Sequence, residues 1–241
     1  MGSRYYYLGL DQGTTGTTAL LLDESWNQIA RGHVDIRQYY PKAGWVEHDP
    51  MLEAAVQALR SAGASAREVR CIGLDNQGET IVFWDKQSGD PVYPAIVWQD
   101  RRTAAEVDRL NRQYGPVFQK STGLKLDSYF GASKIRWVLQ HVPRAQELLA
   151  QHRLAAGTTD SWMIWKLTNG KEFVTDCVTA SRTCLMNLER QEWDEQLLSI
   201  LEIPREILPE IRENAGFFGK TSPETFLDAE IPITASIADQ Q

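Results

Sequence analysis

The feature that most constrains the fold is a series of short apolar runs near the amino end, each followed by polar residues. The runs are Tyr5–Leu10, Ala19–Leu22 and Ile29–Ile36. Each run is too short for a buried helix and is bounded by turn-forming residues, so the pattern predicts three strands. Because only tight polar turns separate consecutive strands, we expect an antiparallel meander at the amino end.

Downstream of the meander, the apolar pattern predicts further strands and a growing number of helices. Asp49 is a candidate cap for a helix that starts at Pro50 and ends near Gly63. The other predicted strands are Val69–Leu74, Ile81–Trp84, Pro94–Trp98 and Glu230–Thr234, and the other predicted helices are Thr103–Arg112, one through Ile135, Val138 and Leu139 that Pro143 ends, Asp160–Leu167 and one through Leu197–Leu201. This order predicts an α/β protein, a mixed sheet with early antiparallel strands flanked by helices.

Charge and cysteine content argue against several classes of function. The formal net charge is −7, which disfavours nucleic acid and anionic membranes as partners. Three well-separated cysteines, Cys71, Cys177 and Cys184, argue against a disulfide framework and against a zinc site. The amino end carries no secretion signal and no apolar run approaches a membrane span, so we expect a cytoplasmic protein.

Acidic residues stand where predicted strands end in polar turns: Asp11, then Asp75 or Glu79, then Asp239. The carboxyl ends of strands in an α/β sheet are where ligands bind, because turns from separate strands meet there. After Asp11, the segment Gly13–Thr15 combines a small residue with two hydroxyls, which suits phosphate oxygens beside Mg²⁺. Taken alone, each of these clusters fits a solvated turn as well.

The combination of motifs is more specific than any one of them. Their order and spacing resemble the FGGY carbohydrate kinases of the actin-like ATPase superfamily, and most closely the glycerol kinases among them. The matching motifs extend over essentially the whole chain and are Asp11–Thr15, Tyr40–Pro50, Asn76–Thr80, Ala95–Thr103, Thr158–Thr168, Ala180–Thr183 and Ala238–Gln241.

The resemblance implies two ribonuclease-H-like domains with a cleft between them. Residues 1–241 would be the amino-terminal, substrate-binding domain. The carboxy-terminal, ATP-binding domain would start at or just after residue 241 and would be a partner of this one. The implied activity is phosphorylation of a primary hydroxyl of glycerol or a related polyol or sugar, with ATP and Mg²⁺ as cofactors. Self-association as a homo-oligomer is compatible with the resemblance.

The resemblance also implies roles for individual residues. Asp239 would be the general base, and Asp11 together with Asp239 would hold Mg²⁺. The residues expected to bind phosphate or ATP are Asp11, Gly13, Thr14 and Thr15. The residues expected to bind the substrate are Gly78, Glu79, Trp98, Tyr129, Asp239 and Gln240.

Two positions depart from the glycerol kinase pattern. Glycerol kinases carry Arg where this chain has Thr18 and Gly78, and a hydrogen bond with a charged group is worth about 1.5–3 kcal/mol. Because Gly78 removes bulk, we expect a substrate larger than glycerol, unless Arg101 or Arg102 reaches the pocket instead.

The same departures keep a second interpretation open, a catalytically dead relative that acts as a binding or regulatory module. Retention of Asp11, Glu79 and Asp239 argues against it. Another actin-like ATPase, such as a chaperone or filament protein, would lack the Trp98–Arg102 stretch and the terminal Asp-Gln-Gln turn. Without the second domain, we expect the isolated chain to be inactive as a kinase.

Overall fold

A computed structural model describes residues 5–35 and 50–240 of the chain. The strands among the described residues are β1 (Tyr6–Gln12), β2 (Gly16–Leu22), β3 (Gln28–Asp35), β4 (Val69–Asn76), β5 (Ile81–Asp85), β6 (Pro91–Ile96), β7 (Leu154–Thr158), β8 (Val174–Asp176), β9 (Met186–Asn187), β10 (Glu192–Trp193), β11 (Glu210–Arg212) and β12 (Ile233–Ala238). The helices are α1 (Pro50–Ala62), α2 (Ala104–Thr122), α3 (Gly131–His141), α4 (Pro143–Ala150), α5 (Thr159–Leu167), α6 (Cys177–Ser181) and α7 (Glu195–Leu201).

A five-stranded mixed sheet with the order β12-β4-β1-β2-β3 forms the centre of the fold. β1, β4 and β12 run parallel, whereas β2 and β3 pair antiparallel with their neighbours. This arrangement confirms both the antiparallel meander and the mixed α/β class predicted from the sequence.

The alternation of side chains along β1 explains why it forms a strand with one well-packed face. Tyr6, Leu8 and Leu10 are buried, while the residues between them are partly exposed. Helix α1 lies against β2 and β3, and it approaches β3 so closely that a Cβ atom on Gly32 would lie 1.9 Å from the Ala54 carbonyl oxygen. Glycine is therefore required at position 32 by the packing of the helix on the sheet.

A second layer is built on the three-stranded sheet β6-β5-β7. All five residues of β5 are buried, and the strand pairs antiparallel with both of its neighbours. Its residues Ile81 and Phe83 belong to a core shared with α2, α3, α4 and α7. This core fixes α3 and the loop before it, which carries Tyr129, against the second sheet.

Several predicted elements differ from the structure in their extent. Helix α2 continues past Arg112 and through Pro116 to Thr122, because burial of Phe118 in the core outweighs the local effect of proline. Pro143 does end α3, but it also begins α4, as proline at a first helical position can. The strand predicted at Pro94–Trp98 instead begins at Pro91 and ends at Ile96.

The last strand was predicted at Glu230–Thr234 and lies at Ile233–Ala238. Its small and polar residues give a weak strand pattern, so its position is determined by parallel pairing with β4. The predictions for Ile36, Asp49, Gln241 and most of the Tyr40–Pro50 motif lie outside the described residues. Among the helices that the structure describes, none is both long and apolar enough to cross a membrane.

Candidate active site

The carboxyl ends of β1, β4 and β12 bring three aspartates together. Asp11 pairs with Asp75 across the parallel strands β1 and β4, and Asp75 in turn pairs with Ile237. Asp239 follows β12 directly, and its backbone N–H donates to the Asn76 carbonyl oxygen over 2.9 Å. Three acidic residues that are far apart in the sequence therefore share one edge of the sheet, as is usual for ligand sites in such sheets.

The three carboxyl groups make their common edge hard to ionise fully. Partial burial and the nearby Asp239 raise the pKa of Asp11, against the opposing effect of His33 and Arg31. The pKa of Asp75 is raised to about 6, mainly by burial and then by Asp11. Burial also raises the pKa of Asp239. Mutual repulsion of this kind is relieved by a cation.

The chemistry of this edge suits Mg²⁺ held jointly with a substrate. Within residues 5–35 and 50–240, no three His, Cys, Asp or Glu side chains form a preassembled metal cage. Mg²⁺ usually keeps several waters and is held by one or two carboxylates plus substrate phosphates. Asp11 and Asp239 fit that requirement because they offer two neighbouring, mutually repelling carboxyl groups.

The turn between β1 and β2 is the predicted phosphate-binding segment. Its Gly13 N–H donates to the Gly16 carbonyl oxygen over 3.0 Å, which closes the hairpin. The Thr14 hydroxyl donates to Gln77 Oε1 over 3.1 Å and lies 3.2 Å from Trp98 Nε1, which donates to it. Thr15 is exposed at the tip of the turn. The turn thus links the carboxylate edge to an aromatic wall.

That aromatic wall consists of Trp98 and Tyr129, whose ring centroids are 5.7 Å apart with an interplanar angle of 62°. A cavity of about 210 Å³ lies against it and is lined by Trp98, Gln99, Arg101, Asp127, Ser128 and Tyr129. The Gln240 side-chain amide donates to the Tyr129 hydroxyl over 2.5 Å. Aromatic faces beside polar groups suit the alternating C–H and O–H surface of a polyol.

Glu79 is buried, and its side chain is only 3% exposed. The Arg182 guanidinium donates through Nε to Glu79 Oε1 over 2.7 Å. A second nitrogen of the same guanidinium, Nη2, donates to Gln240 Oε1 over 3.4 Å. Glu79, Gln240 and Tyr129 are thereby joined, through Arg182, into one hydrogen-bonded group.

Two side chains lie close to Gly78. A Cβ atom at this position would lie 3.0 Å from Ala238 Cβ and 3.3 Å from Arg182 Cγ. Arg101 lines the cavity beside Trp98 and Tyr129. Arg102 is held away by two side-chain hydrogen bonds to Asp100, of 2.9 and 2.7 Å. The arginine beside Glu79 is instead Arg182, which the sequence analysis included in a motif without giving it a role.

The second departure, Thr18, lies opposite His33 in the β2–β3 pairing. The Thr18 hydroxyl and His33 Nδ1 are 2.9 Å apart, and His33 Nε2 is 3.2 Å from Asp35 Oδ1. Asp11, Thr18 and His33 therefore form a row across three adjacent strands. Position 18, where glycerol kinases carry arginine, is a threonine in this chain. The imidazole of His33 on β3 lies next to that threonine.

Lys134 is a buried residue that the sequence analysis missed. Its ammonium group donates to the carbonyl oxygens of Glu79 and Tyr129, over 3.0 and 2.5 Å, and the residue is 0% exposed. Burial lowers the pKa of Lys134 to about 7, against the opposing effect of nearby carboxylates, Glu79 first. The available signal was its spacing, since Lys134 lies four residues before the apolar Val138 on one helix face.

Comparison with known proteins adds an independent observation. The model of the FGGY family of carbohydrate kinases, N-terminal domain, matches residues 6–241. The chain is 46% identical to a glycerol kinase of Alkaliphilus oremlandii, covering 98% of this chain and 48% of that protein. It is 44% identical to a glycerol kinase of Deinococcus radiodurans, covering 100% of this chain and 49% of that protein. The chain thus spans about half the length of these curated relatives.

Solved structures agree with this comparison. The crystal structure of Plasmodium falciparum glycerol kinase with ADP matches with a TM-score of 0.87 and 33% identity, covering 100% of this chain and 49% of that one. A xylulose kinase from Rhodospirillum rubrum matches with a TM-score of 0.83 at 22% identity, covering 98% of this chain and 49% of that one, which supports the fold alone.

Proposed function

Because the chain belongs to the FGGY family of carbohydrate kinases, we propose that the protein containing it transfers the γ-phosphate of ATP to a primary hydroxyl of glycerol or a related polyol or sugar. The observation that carries this proposal is the shared edge formed by Asp11, Asp75 and Asp239. Gln240, the residue after Asp239, belongs to the hydrogen-bonded group that includes Glu79. Phosphoryl transfer depends on positioning and charge neutralisation. The edge would contribute to the second by holding a Mg²⁺ ion against the phosphates.

In the proposed reaction, Asp239 accepts the proton of the attacking hydroxyl as its oxygen approaches the γ-phosphorus. A raised pKa brings Asp239 nearer to the operating pH, where a carboxylate is a stronger base. Bound Mg²⁺ neutralises charge on the phosphate oxygens, and Asp11 and Asp239 are the side chains that would hold it. Gly13, Thr14 and Thr15 would contact the phosphate oxygens through their backbone N–H groups and hydroxyls.

The polyol is proposed to bind between the aromatic wall and the carboxylate of Glu79. The carbon skeleton packs on Trp98 and Tyr129, while Glu79 and Gln240 bond to hydroxyls. A buried carboxylate that already accepts one charge-assisted hydrogen bond is held in a fixed orientation. Substrates with two neighbouring hydroxyls therefore suit this pocket better than simple alcohols.

We also propose that residues 1–241 form the substrate-binding half of the protein and that the ATP-binding half lies in the remainder of a chain of the relatives' length. Support comes from the coverage of the relatives, which is about half of each. The isolated chain should then show negligible kinase activity, because the groups that stabilise the far side of the phosphates are missing.

The test uses the full-length protein, ATP, Mg²⁺ and a panel of glycerol, longer polyols and ketoses, with release of ADP as the readout. Phosphorylation of at least one member that is lost in Asp239→Ala supports the proposal. A catalytically dead binding module would bind a polyol without forming ADP, and that result would refute the kinase assignment. If glycerol has the highest kcat/KM in the panel, the expectation that the natural substrate is larger than glycerol is wrong.

A further inference from the structure

His33 places an imidazole at the same end of the main sheet as Asp11. Residues that pair directly across adjacent strands lie on one face of a sheet, and Asp11, Thr18 and His33 pair in this way across β1, β2 and β3. Both β1 and β3 are antiparallel to β2, so they run toward the same end of the sheet. Arg31 is on this face of β3 as well, but it lies two residues further from that end.

The imidazole also lies against the turn that is predicted to bind phosphate. A Cβ atom on Gly16 would lie 2.7 Å from His33 Cε1 and 2.8 Å from His33 Nε2. The carbonyl oxygen of Gly16 accepts the Gly13 N–H and so closes the turn that contains Thr14 and Thr15. Because position 16 has no side chain, the imidazole can approach the base of this turn.

The backbone of His33 is fixed, whereas its ring remains accessible. The His33 backbone N–H donates to Gln57 Oε1 of α1 over 3.2 Å. In the ring, Nδ1 is 2.9 Å from the Thr18 hydroxyl and Nε2 is 3.2 Å from Asp35 Oδ1. The His33 side chain is 44% exposed and that of Asp35 is 91% exposed. Exposed ion pairs contribute little to stability, so an anionic ligand at the sheet edge can replace Asp35 as the partner of Nε2.

The charge of the imidazole acts on the edge where phosphates are proposed to bind. Burial and then Asp239 raise the pKa of Asp11, while His33 and, after it, Arg31 lower it. A phosphate beside an imidazole favours the protonated ring, so a histidine can supply a phosphate with positive charge as an arginine does. Thr18 is uncharged and stands where glycerol kinases carry arginine, so it cannot supply that charge itself.

We infer that His33 is a phosphate-binding residue, which supplies from β3 the positive charge that glycerol kinases carry at position 18. This inference rests on the proposed function. The alternative is that the contact between His33 and Thr18 only joins β2 to β3. The two accounts differ in what an arginine at position 18 does, because it can replace a lost charge but not a lost contact between strands.

The experiment uses the full-length protein and compares His33→Gln, Thr18→Arg and the double variant, with Arg31→Ala, on the same face of β3, as the matched control. ATP with Mg²⁺ is the probe. Its binding is measured by calorimetry without a polyol, and its turnover is measured by ADP release with glycerol. Loss of a charge-assisted hydrogen bond predicts an ATP Kd and KM raised about 10- to 150-fold in His33→Gln. The KM for glycerol should stay within about threefold, because the polyol contacts are unchanged.

The rescue should depend on the absence of His33. In the double variant, ATP binding should recover at least about tenfold relative to His33→Gln, because the arginine stands in the same row as Asp11. Thr18→Arg alone should lower the ATP Kd less than about threefold, because the charge is already present. A double variant that binds ATP no better than His33→Gln overturns the inference. An equal gain from the arginine with and without His33 overturns it too.

Two further comparisons separate a specific contact from a general effect of charge. Arg31→Ala should raise the ATP Kd less than about threefold, and a loss equal to that of His33→Gln overturns the inference. An ATP Kd in His33→Gln within threefold of the unmodified protein does the same. His33→Lys covers the case in which His33→Gln fails to fold, because it keeps a positive charge without the ring. Its ATP Kd should stay within about tenfold of the unmodified protein, and a larger loss overturns the inference.

Failure of the proposed function is recognised separately from failure of this inference. ATP binding that depends on His33, without ADP release for any polyol of the panel, refutes the kinase and supports the phosphate contact. ADP release that is unaffected by His33→Gln supports the kinase and refutes the contact. Absence of both ATP binding and ADP release refutes both.

Discussion

Replacement of Lys134 by methionine tests whether the pocket is held by a buried lysine. Methionine has a similar length and no donor, so the carbonyl oxygens of Glu79 and Tyr129 lose the partner they have at 3.0 and 2.5 Å. A buried polar group left without a partner costs about 1–3 kcal/mol, which gives about 2–6 kcal/mol of lost stability for the two. Lys120→Met, on an exposed position of α2, is the control and should change stability by less than about 0.5 kcal/mol.

The loss of stability should depend on pH in a defined direction. Burial lowers the pKa of Lys134 from 10.5 to about 7, so in this interval the folded chain has released a proton that the unfolded chain retains. Stability of the unmodified chain therefore rises with pH between these values, by at most about 1.4 kcal/mol per pH unit. A neutral amine still has two N–H groups, which match the two carbonyl oxygens.

Urea denaturation of the chain and of the Lys134→Met variant at pH 6 and pH 9 measures both effects. We expect the full difference of about 2–6 kcal/mol at pH 9 and a smaller one at pH 6, where the lysine is buried with its charge. A difference below about 1 kcal/mol at pH 9, or one that does not grow with pH, would show that Lys134 does not hold the pocket in this way.

Three further predictions concern the carboxylate edge and the sheet. Asp239→Asn in the full-length protein should lower kcat about 10²- to 10⁴-fold in an ADP-release assay, and a smaller loss would argue against the general base. The same substitution in this chain should lower the pKa of Asp11 and Asp75, because both are raised by the Asp239 charge; carboxyl carbon NMR titration checks this, and unchanged values contradict it. Gly32→Ala should cost about 1–3 kcal/mol or more in urea denaturation because its Cβ would clash with α1. Gly9→Ala, whose Cβ would meet nothing closer than 3.9 Å, should cost less, and equal effects would refute the packing argument.

The sequence predicted the parts of the fold in which local pattern and tertiary structure agree. Buried residues alternate along β1, and the structure has the strand where the pattern places it. The acidic residues Asp11 and Asp75 follow strong apolar runs, so their convergence at one sheet edge was predictable from strand ends alone. β12 was harder, because a run of small and polar residues becomes a strand only through its pairing with β4.

The contacts that the sequence could not predict involve long side chains that cross between layers. The position of Arg182 beside Glu79 depends on the path of α6 and on the space at Gly78, neither of which is a local property. The pattern at position 78 showed what that position lacks, but not that the side chains of Ala238 and Arg182 lie beside it. Lys134 was overlooked because charged residues are rarely fully buried unless paired.

The position of Asp239 illustrates how the fold supports chemistry at an exposed residue. Its backbone N–H bonds to Asn76, and the Asn76 side chain donates to the Ile237 carbonyl oxygen over 3.0 Å. Earlier in the same strand, the Ser236 hydroxyl donates to the buried carboxylate of Asp176 over 2.8 Å. The backbone on which Asp239 stands is thus fixed by buried hydrogen bonds, while its carboxylate faces solvent. The backbone of the proposed base is therefore already ordered in the folded chain. Little backbone entropy remains to be lost when the base is positioned for phosphoryl transfer.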